Sequence, residues 1–296
     1  MMSVHDPEVA LREDRSLVNA IRHYFLYIKA HPDALLGSVL IIGFVLMAIL
    51  APIIAPYDPV TPTAVFRTPP TREHLFGTDP TGLDVFSRVI WAARTDLFVG
   101  VTGTLLSMAV GIPLGLLVGY YRGFLMGLIL RTADLLQAIP IFVLAMAMVA
   151  VAGPSLKNVI LVIGFLNAPI YIRLVRSEVL VFRERAVMEA AKCVGNSNTA
   201  ILWNYLFPNT IEAAMVQSSV NVGWAILVTA SLSFIGAGIP VPTPEWGSMV
   251  GIGASMMITG EWWAAFFPGV AIALCVLAFA LVTDAVRVLI NPERRP

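Results

Sequence analysis

Long uncharged apolar runs alternate along this chain with shorter segments that collect nearly all of its charge. Six runs contain no Asp, Glu, Lys, Arg or His: residues 35–55, 97–121, 135–156, 158–172, 213–235 and 262–283. A helix crossing the hydrocarbon core of a bilayer needs roughly 20 such residues, because in lipid every backbone amide must be satisfied within its own segment. The pattern therefore predicts an all-α membrane protein with six transmembrane helices. The fourth run is short, but Lys157 and Arg173 bracket it and can carry their charges outward along apolar stems.

The intervening segments have patterns of their own. Residues 56–96 begin Pro-rich, which disfavours regular structure. From Asp84 the apolar residues Val85, Phe86, Val89, Ile90 and Trp91 recur at helical spacing, predicting a helix over 84–95 that lies on the membrane surface and anchors the second span. Residues 178–209 are polar-studded and helix-compatible up to Gly195, a stop signal. Asn196 or Ser197 can cap a second helix in which Ile201, Leu202, Tyr205 and Leu206 share one face. Pro208 is expected to end that helix, and Asn209 to cap the fifth span with Glu212 as its capping-box partner. A helix pair with Ala190 and Ala191 on it and a Gly turn lets another surface approach closely, although the same pattern fits an ordinary amphipathic connection packed on the membrane face.

Composition agrees with the membrane reading: 58% of the 296 residues are hydrophobic and 13% charged, with mean hydropathy +0.82. Lys plus Arg and Asp plus Glu are equal at 19 each, so net charge points to no nucleic acid. With the N-terminus inside, 14 of the 19 basic residues fall in cytoplasmic segments, leaving Arg67, Arg72, Arg88, Arg94 and Lys157 outside. Both termini are then cytoplasmic: an N-terminal segment 1–34, a transmembrane domain 35–290 and a tail 291–296. The polar stretch ahead of the first span and the length of its apolar run read as an uncleaved anchor rather than a signal peptide.

Chemistry is sparse. Cys193 and Cys275 make no CxxC, and His5, His23, His31 and His74 make no HExxH, so neither a disulfide framework nor a metal site is indicated. The chain lacks a GxxxxGK[ST] phosphate loop, and no ionisable residue lies inside the six runs to bind a coupling ion. Transport through such a chain needs passive flow or an engine on another chain. A stand-alone secondary carrier or channel is the alternative, with its gradient-driven form disfavoured by the uncharged spans. Span five carries Gln217, Ser218, Ser219, Asn221, Thr229, Ser231 and Ser233, of which Gln217, Ser218 and Asn221 are the better candidates to line a wet pathway; Met146 could add an adaptable apolar wall. Single Ser and Thr residues otherwise serve helix packing. Pro113 and Pro140 mark kinks.

The string Glu189, Ala190, Ala191, followed by Gly195 and then by Pro208 with Asn209, resembles the EAA motif of permease subunits of ABC importers. In order along the chain, APIIAPYDP, FGTDPTGLDVFSRVIWAAR, AIPIFVLAMAMVAVAG, IYIRLVRSEVL, SFIGAGIPVPTPEWGSM and FPGVAIALCVLAFALVTDAVRVLINP resemble the dipeptide, oligopeptide and nickel permease family, specifically its second, C-type subunit. Departures occur at Leu83, Ala200, Tyr205, Ala280 and Thr283. The resemblance implies the type I importer permease fold in a bacterial inner membrane, with this chain as one half of a heterodimeric pore. It implies that Glu189, Ala190, Ala191, Gly195, Ser197, Ile201, Tyr205, Pro208 and Asn209 form the element that couples to an ATPase. The implied partners are a second, B-type permease, two ABC ATPase subunits that carry the ATP and Mg, and an extracytoplasmic substrate-binding protein. Relatives handle peptides, nickel chelates, glutathione and opine-like compounds.

Overall fold

The computed structural model describes residue 24 and residues 26–290; most of the N-terminal segment, with Arg12, Arg15 and Arg22, and the tail 291–296 lie outside these described residues. Among them the chain is helical, without a strand. A short helical lead-in, 26–30, precedes α1 (Pro32–Ile54). Next comes α2 (Val85–Tyr120), whose 36 residues make it about 54 Å long at 1.5 Å per residue. That length exceeds the roughly 30 Å hydrocarbon core, so α2 must project beyond it.

α3 (Phe124–Ala138) and α4 (Ile141–Ala152) meet at a 99° bend. Pro140 is the cause: it lacks an N–H, and its ring forces Ile139 into extended backbone (φ −85°, ψ 136°). The third span, expected over 135–156 with a kink at Pro140, is thus a broken helix pair beginning at Phe124. α5 (Leu156–Phe182) follows, and the fourth span, expected to stop at 172, continues through Arg173, Arg176 and Glu178. Charges beyond the apolar core mark where lipid ends without ending a helix. α6 (Ala186–Cys193) and α7 (Asn198–Ile201) precede α8 (Phe207–Phe234), and α9 (Trp246–Met256) and α10 (Trp263–Ile290) complete the chain. Among the described residues five helices are long and apolar enough to cross a membrane, six if the bent pair counts as one span.

The seam between α2 and α5 positions the inner face. On α2, Gly111, Gly115 and Gly119 recur every four residues, and a Cβ on them would fall 2.5 Å from the Tyr171 Cβ, 2.8 Å from the Val175 Cβ and 2.7 Å from the Val179 Cβ. Small residues at this spacing let two backbones approach closely, the usual source of association energy between helices in lipid.

The expected surface helix at 84–95 is instead the outer end of α2; of its polar residues Asp84, Ser87 and Arg88 face inward, while Arg94 stays exposed over the Trp91 ring. Asp84 caps α2 by accepting from the Ser87 amide and lies 2.9 Å from His74 Nδ1. Arg88, 1% exposed, donates to the carbonyls of Pro59 and Pro242. Asp96 accepts from the Trp246 amide, and the Trp246 indole donates to the Val89 carbonyl. Glu245 caps α9 by accepting from Gly247 and Ser248, while burial pushes its carboxyl above the usual carboxylate range against those amides. The amphipathic pattern was real, but Ser87 and Arg88 on its polar side meet loops 55–84 and 235–245 rather than water, while Arg94 stays open. It also places ionisable groups on a spanning helix just outside the uncharged run that begins at Leu97.

Candidate coupling site and pathway residues

α6 carries Glu189 in its first turn and Lys192 in its last, the arrangement that complements the helix dipole. It closes in a Schellman motif. The Asn196 amide donates to the Ala191 carbonyl and the Gly195 amide to the Lys192 carbonyl, with Gly195 at φ +85°. A Cβ at Gly195 would meet nothing within 4 Å, so backbone conformation, not space, demands glycine here. Ser197 then accepts from the Ala200 amide and caps α7.

Pro208 does not end this second helix. Leu202–Leu206 widen into a π turn in which the Phe207 amide reaches the Leu202 carbonyl, and the helix continues as α8 with the proline in its first turn. A proline at 208 offers no N–H to the carbonyl four residues back and crowds it, so the wider turn just before it absorbs the conflict. Asn209 does not cap an N-terminus either, because the helix has no start at this point; its Nδ2 donates 2.6 Å to the Tyr205 carbonyl. The expected Asn209–Glu212 capping box falls with it.

The segment splits into an anchored face and an open one. Met188, Ala191, Ile201, Leu202 and Leu206 are buried with Ile112 and Leu116 of α2, Tyr171, Val175 and Val179 of α5, and Ala214 of α8. Tyr120 at the end of α2 donates 2.8 Å to Asn198 Oδ1, and Asn196 Nδ2 donates 3.3 Å to Tyr205 Oη. Ala191 and Ile201 thus serve the segment's own packing, so of the two alanines only Ala190 offers room to a partner. The open face holds Glu189, Ala190 and Cys193. It also holds Val187, Val194 at 83% exposed and Trp203 at 54%, which sequence reasoning passed over. Their signal was present: 187, 190 and 194 recur at i, i+3 and i+7 on one helical face, next to the buried positions 188 and 191.

The four pathway candidates do not converge. Gln217 Nε2 donates 3.0 Å to Asn221 Oδ1, but Asn221 is 2% exposed inside the subunit, and Ser218 donates to the Met215 carbonyl of its own helix. Asn221 shares the helical face of Ala225, Val228 and Leu232, which packs against α5, so burial follows from its register. Met146 stands well apart, lining an outer cleft of about 430 Å³ with Leu227, Phe234 and Val250. Ser231 is the one polar side chain of that lining, and its hydroxyl donates to the Leu227 carbonyl.

Comparison with known proteins bears on the whole chain. The model of a family described as binding-protein-dependent transport system inner membrane component matches residues 111–296, and that of the N-terminal TM domain of oligopeptide transport permease C matches residues 22–70. The chain is 36% identical over 293 residues to a dipeptide transport system permease protein of Alkalihalophilus pseudofirmus, covering 98% of this chain and 96% of that one. It is 36% identical over 267 residues to a probable D,D-dipeptide transport system permease protein of Escherichia coli, covering 90% and 89%. A glutathione transport system permease protein of Pectobacterium atrosepticum is 33% identical over 282 residues, covering 95% and 93%. Among solved structures, a chain of the MetNI methionine ABC transporter in inward facing conformations matches with TM-score 0.57 and 16% identity, over 70% of this chain and 97% of that one. The likeness in fold extends to nearly all of that chain.

Proposed function

We propose, from the premise that this chain belongs to the family of binding-protein-dependent transport system inner membrane components, that α6 and α7 are the handle through which a separate ATPase moves the pore. The chain is the inner-membrane permease subunit of an ABC importer. The observation that carries the coupling role is the division of the segment from α6 to the π turn: Met188 and Ala191 are locked among the inner ends of α2, α5 and α8, while Ala190, Val194 and Trp203 are exposed and apolar. A force on that face reaches three spans at once.

In this reading two ATPase subunits bind ATP and Mg, this chain pairs with a second, homologous permease, and a binding protein delivers substrate to the outer face. ATP binding closes the ATPases and draws both coupling elements with them; hydrolysis resets the pore inward. Nucleotide shifts the pore's equilibrium only through its different affinity for the two states. Small peptides are the substrate class supported by the names of the relatives, two of them dipeptide permeases and one a glutathione permease.

The test is Glu189→Lys in the assembled transporter, with peptide uptake and ATPase stimulation both measured. Glu189 is exposed, so the variant should insert and fold while both activities fall together. Wild-type stimulation with intact uptake would overturn the assignment. Crosslinking from the exposed Cys193 to the ATPase subunit supplies an independent check.

A further inference from the structure

A second cytoplasmic feature lies beside the coupling segment and shares only Tyr121 with the apolar cluster that anchors it. The C-terminal end of α2, the start of α3 and the inner end of α5 enclose a pocket of about 330 Å³ lined by Arg122, Arg176 and Arg183. No carboxylate lines it. Arg183 spends Nε on the exposed Glu184 and Nη1 on the Gly119 carbonyl. Arg176 Nε is buried with no hydrogen-bond partner, a group that must find an acceptor or forfeit its hydration. α3 begins at the pocket: Gly123 is its N-cap, offers no side chain, and leaves the first amides of a 15-residue helix without a side-chain acceptor.

Guanidinium groups and free helix amides converging on one cavity ask for a compact oxyanion. The rim is apolar, with Met126, Leu130 and Leu180 continuing toward the membrane. α3 is loosely held, since Ala133 is its one buried residue, while Phe124 and Leu125 at its start are open. The cytoplasmic leaflet supplies anionic headgroups at this depth, and basic pockets between transmembrane helices on this side are suited to them.

We propose that this pocket binds the phosphate of an anionic phospholipid, its headgroup held by Arg122 and Arg176 against the start of α3 and its acyl chains leaving over Met126 and Leu180. The bound lipid ties the loosely packed α3 to the α2–α5 pair next to the coupling segment. The inference uses the membrane placement of the chain and stands independently of the ATPase-coupling role.

The test uses the whole transporter, purified with its partner subunits, stripped of lipid in detergent and titrated with phosphatidylglycerol while retained lipid is counted by native mass spectrometry. Wild type should hold phosphatidylglycerol in preference to phosphatidylcholine. Removing a basic charge near an anionic headgroup weakens it roughly fivefold, so the R122Q/R176Q double variant should bind on the order of 25-fold more weakly. R176K keeps the charge and should retain most of the binding. R131Q removes an exposed charge of α3 that does not line the pocket and should stay within about twofold of wild type. Co-elution of the ATPase subunits with each variant certifies its fold. A loss in R131Q as large as that in R122Q/R176Q would mean diffuse surface attraction, and complete displacement of the lipid by inorganic phosphate would make the pocket a soluble-anion site. Loss of ATPase assembly with lipid retention unchanged would put a partner's carboxylates there. Each of these three results overturns the proposal.

Discussion

The two ends of this molecule are built on opposite plans. At the outer end, polar groups are committed inward across long sequence distances: Arg88 joins the loops at Pro59 and Pro242, Asp96 holds the Trp246 amide, and the Trp263 indole donates to the Thr78 carbonyl. At the inner end, hydrogen bonding is mostly local, within the turns of 185–209, and the long-range attachment is apolar, through Met188, Ile201, Leu202 and Leu206. A buried network of hydrogen-bonded polar groups resists rearrangement, because each broken bond strands a donor or acceptor. An apolar anchor fixes position while leaving the opposite face free. The outer end is thus a fixed closure, and the inner end is held on one face with the other left open, as the proposed grip requires.

Substitutions of decreasing severity probe that contrast. Trp246→Ala should be the most damaging, because a fully buried indole is lost from the cluster around Phe44, Val89 and Met249 and the Val89 carbonyl loses its donor. About 3–5 kcal/mol of stability should go, read as a lower Tm of the purified chain in detergent. Met188→Ala should cost about 2 kcal/mol, with a different signature: α6 loses its main anchor, and ATPase stimulation should fall more than Tm does. If Met188→Ala lowered Tm as far as Trp246→Ala with stimulation in proportion, the two ends would not differ in kind. Gly195→Val comes next, since a β-branched residue at φ +85° costs about 1–2 kcal/mol. Gly195→Asn, which tolerates that backbone, should recover much of the stimulation lost.

What the sequence made legible follows the same division. The spans were readable because lipid imposes one rule on every uncharged run, and the grip was readable because its turns are local: the Gly195 stop, the Ser197 cap and the Ile201 to Leu206 face need only neighbours in sequence. The outer layer was not. Ser87 and Arg88 look like the wet side of an amphipathic helix until loops from 55–84 and 235–245 arrive to bury them, and nothing near them in sequence announces those contacts. The break at Pro140 was legible and its 99° size was not, because a proline dictates its own φ while packing sets the angle. At Pro208 the local rule failed outright: a π turn carries the helix into a residue that usually stops one.

The mildest substitution separates grip from fold most cleanly. Val194 closes α6 at 83% exposure, so Val194→Ser removes two methyl groups that touch little in the subunit. Its effect on Tm should stay within about 0.5 kcal/mol, as for other surface changes. If an ATPase groove closes over this position, burial of the valine there contributes about 1.5 kcal/mol that serine cannot supply, and the affinity of the ATPase subunit should fall about tenfold, measured by titration onto the reconstituted permease pair. The same change at Val241, exposed in the outer loop, should alter neither quantity. An unchanged ATPase affinity for Val194→Ser would leave the open face without an occupant at its most exposed apolar point. A tenfold loss there with an unshifted Tm would locate the contact at the exposed C-terminal end of α6, beside the buried Met188 and Ala191, where the grip and its anchor are carried by different residues of the same two turns.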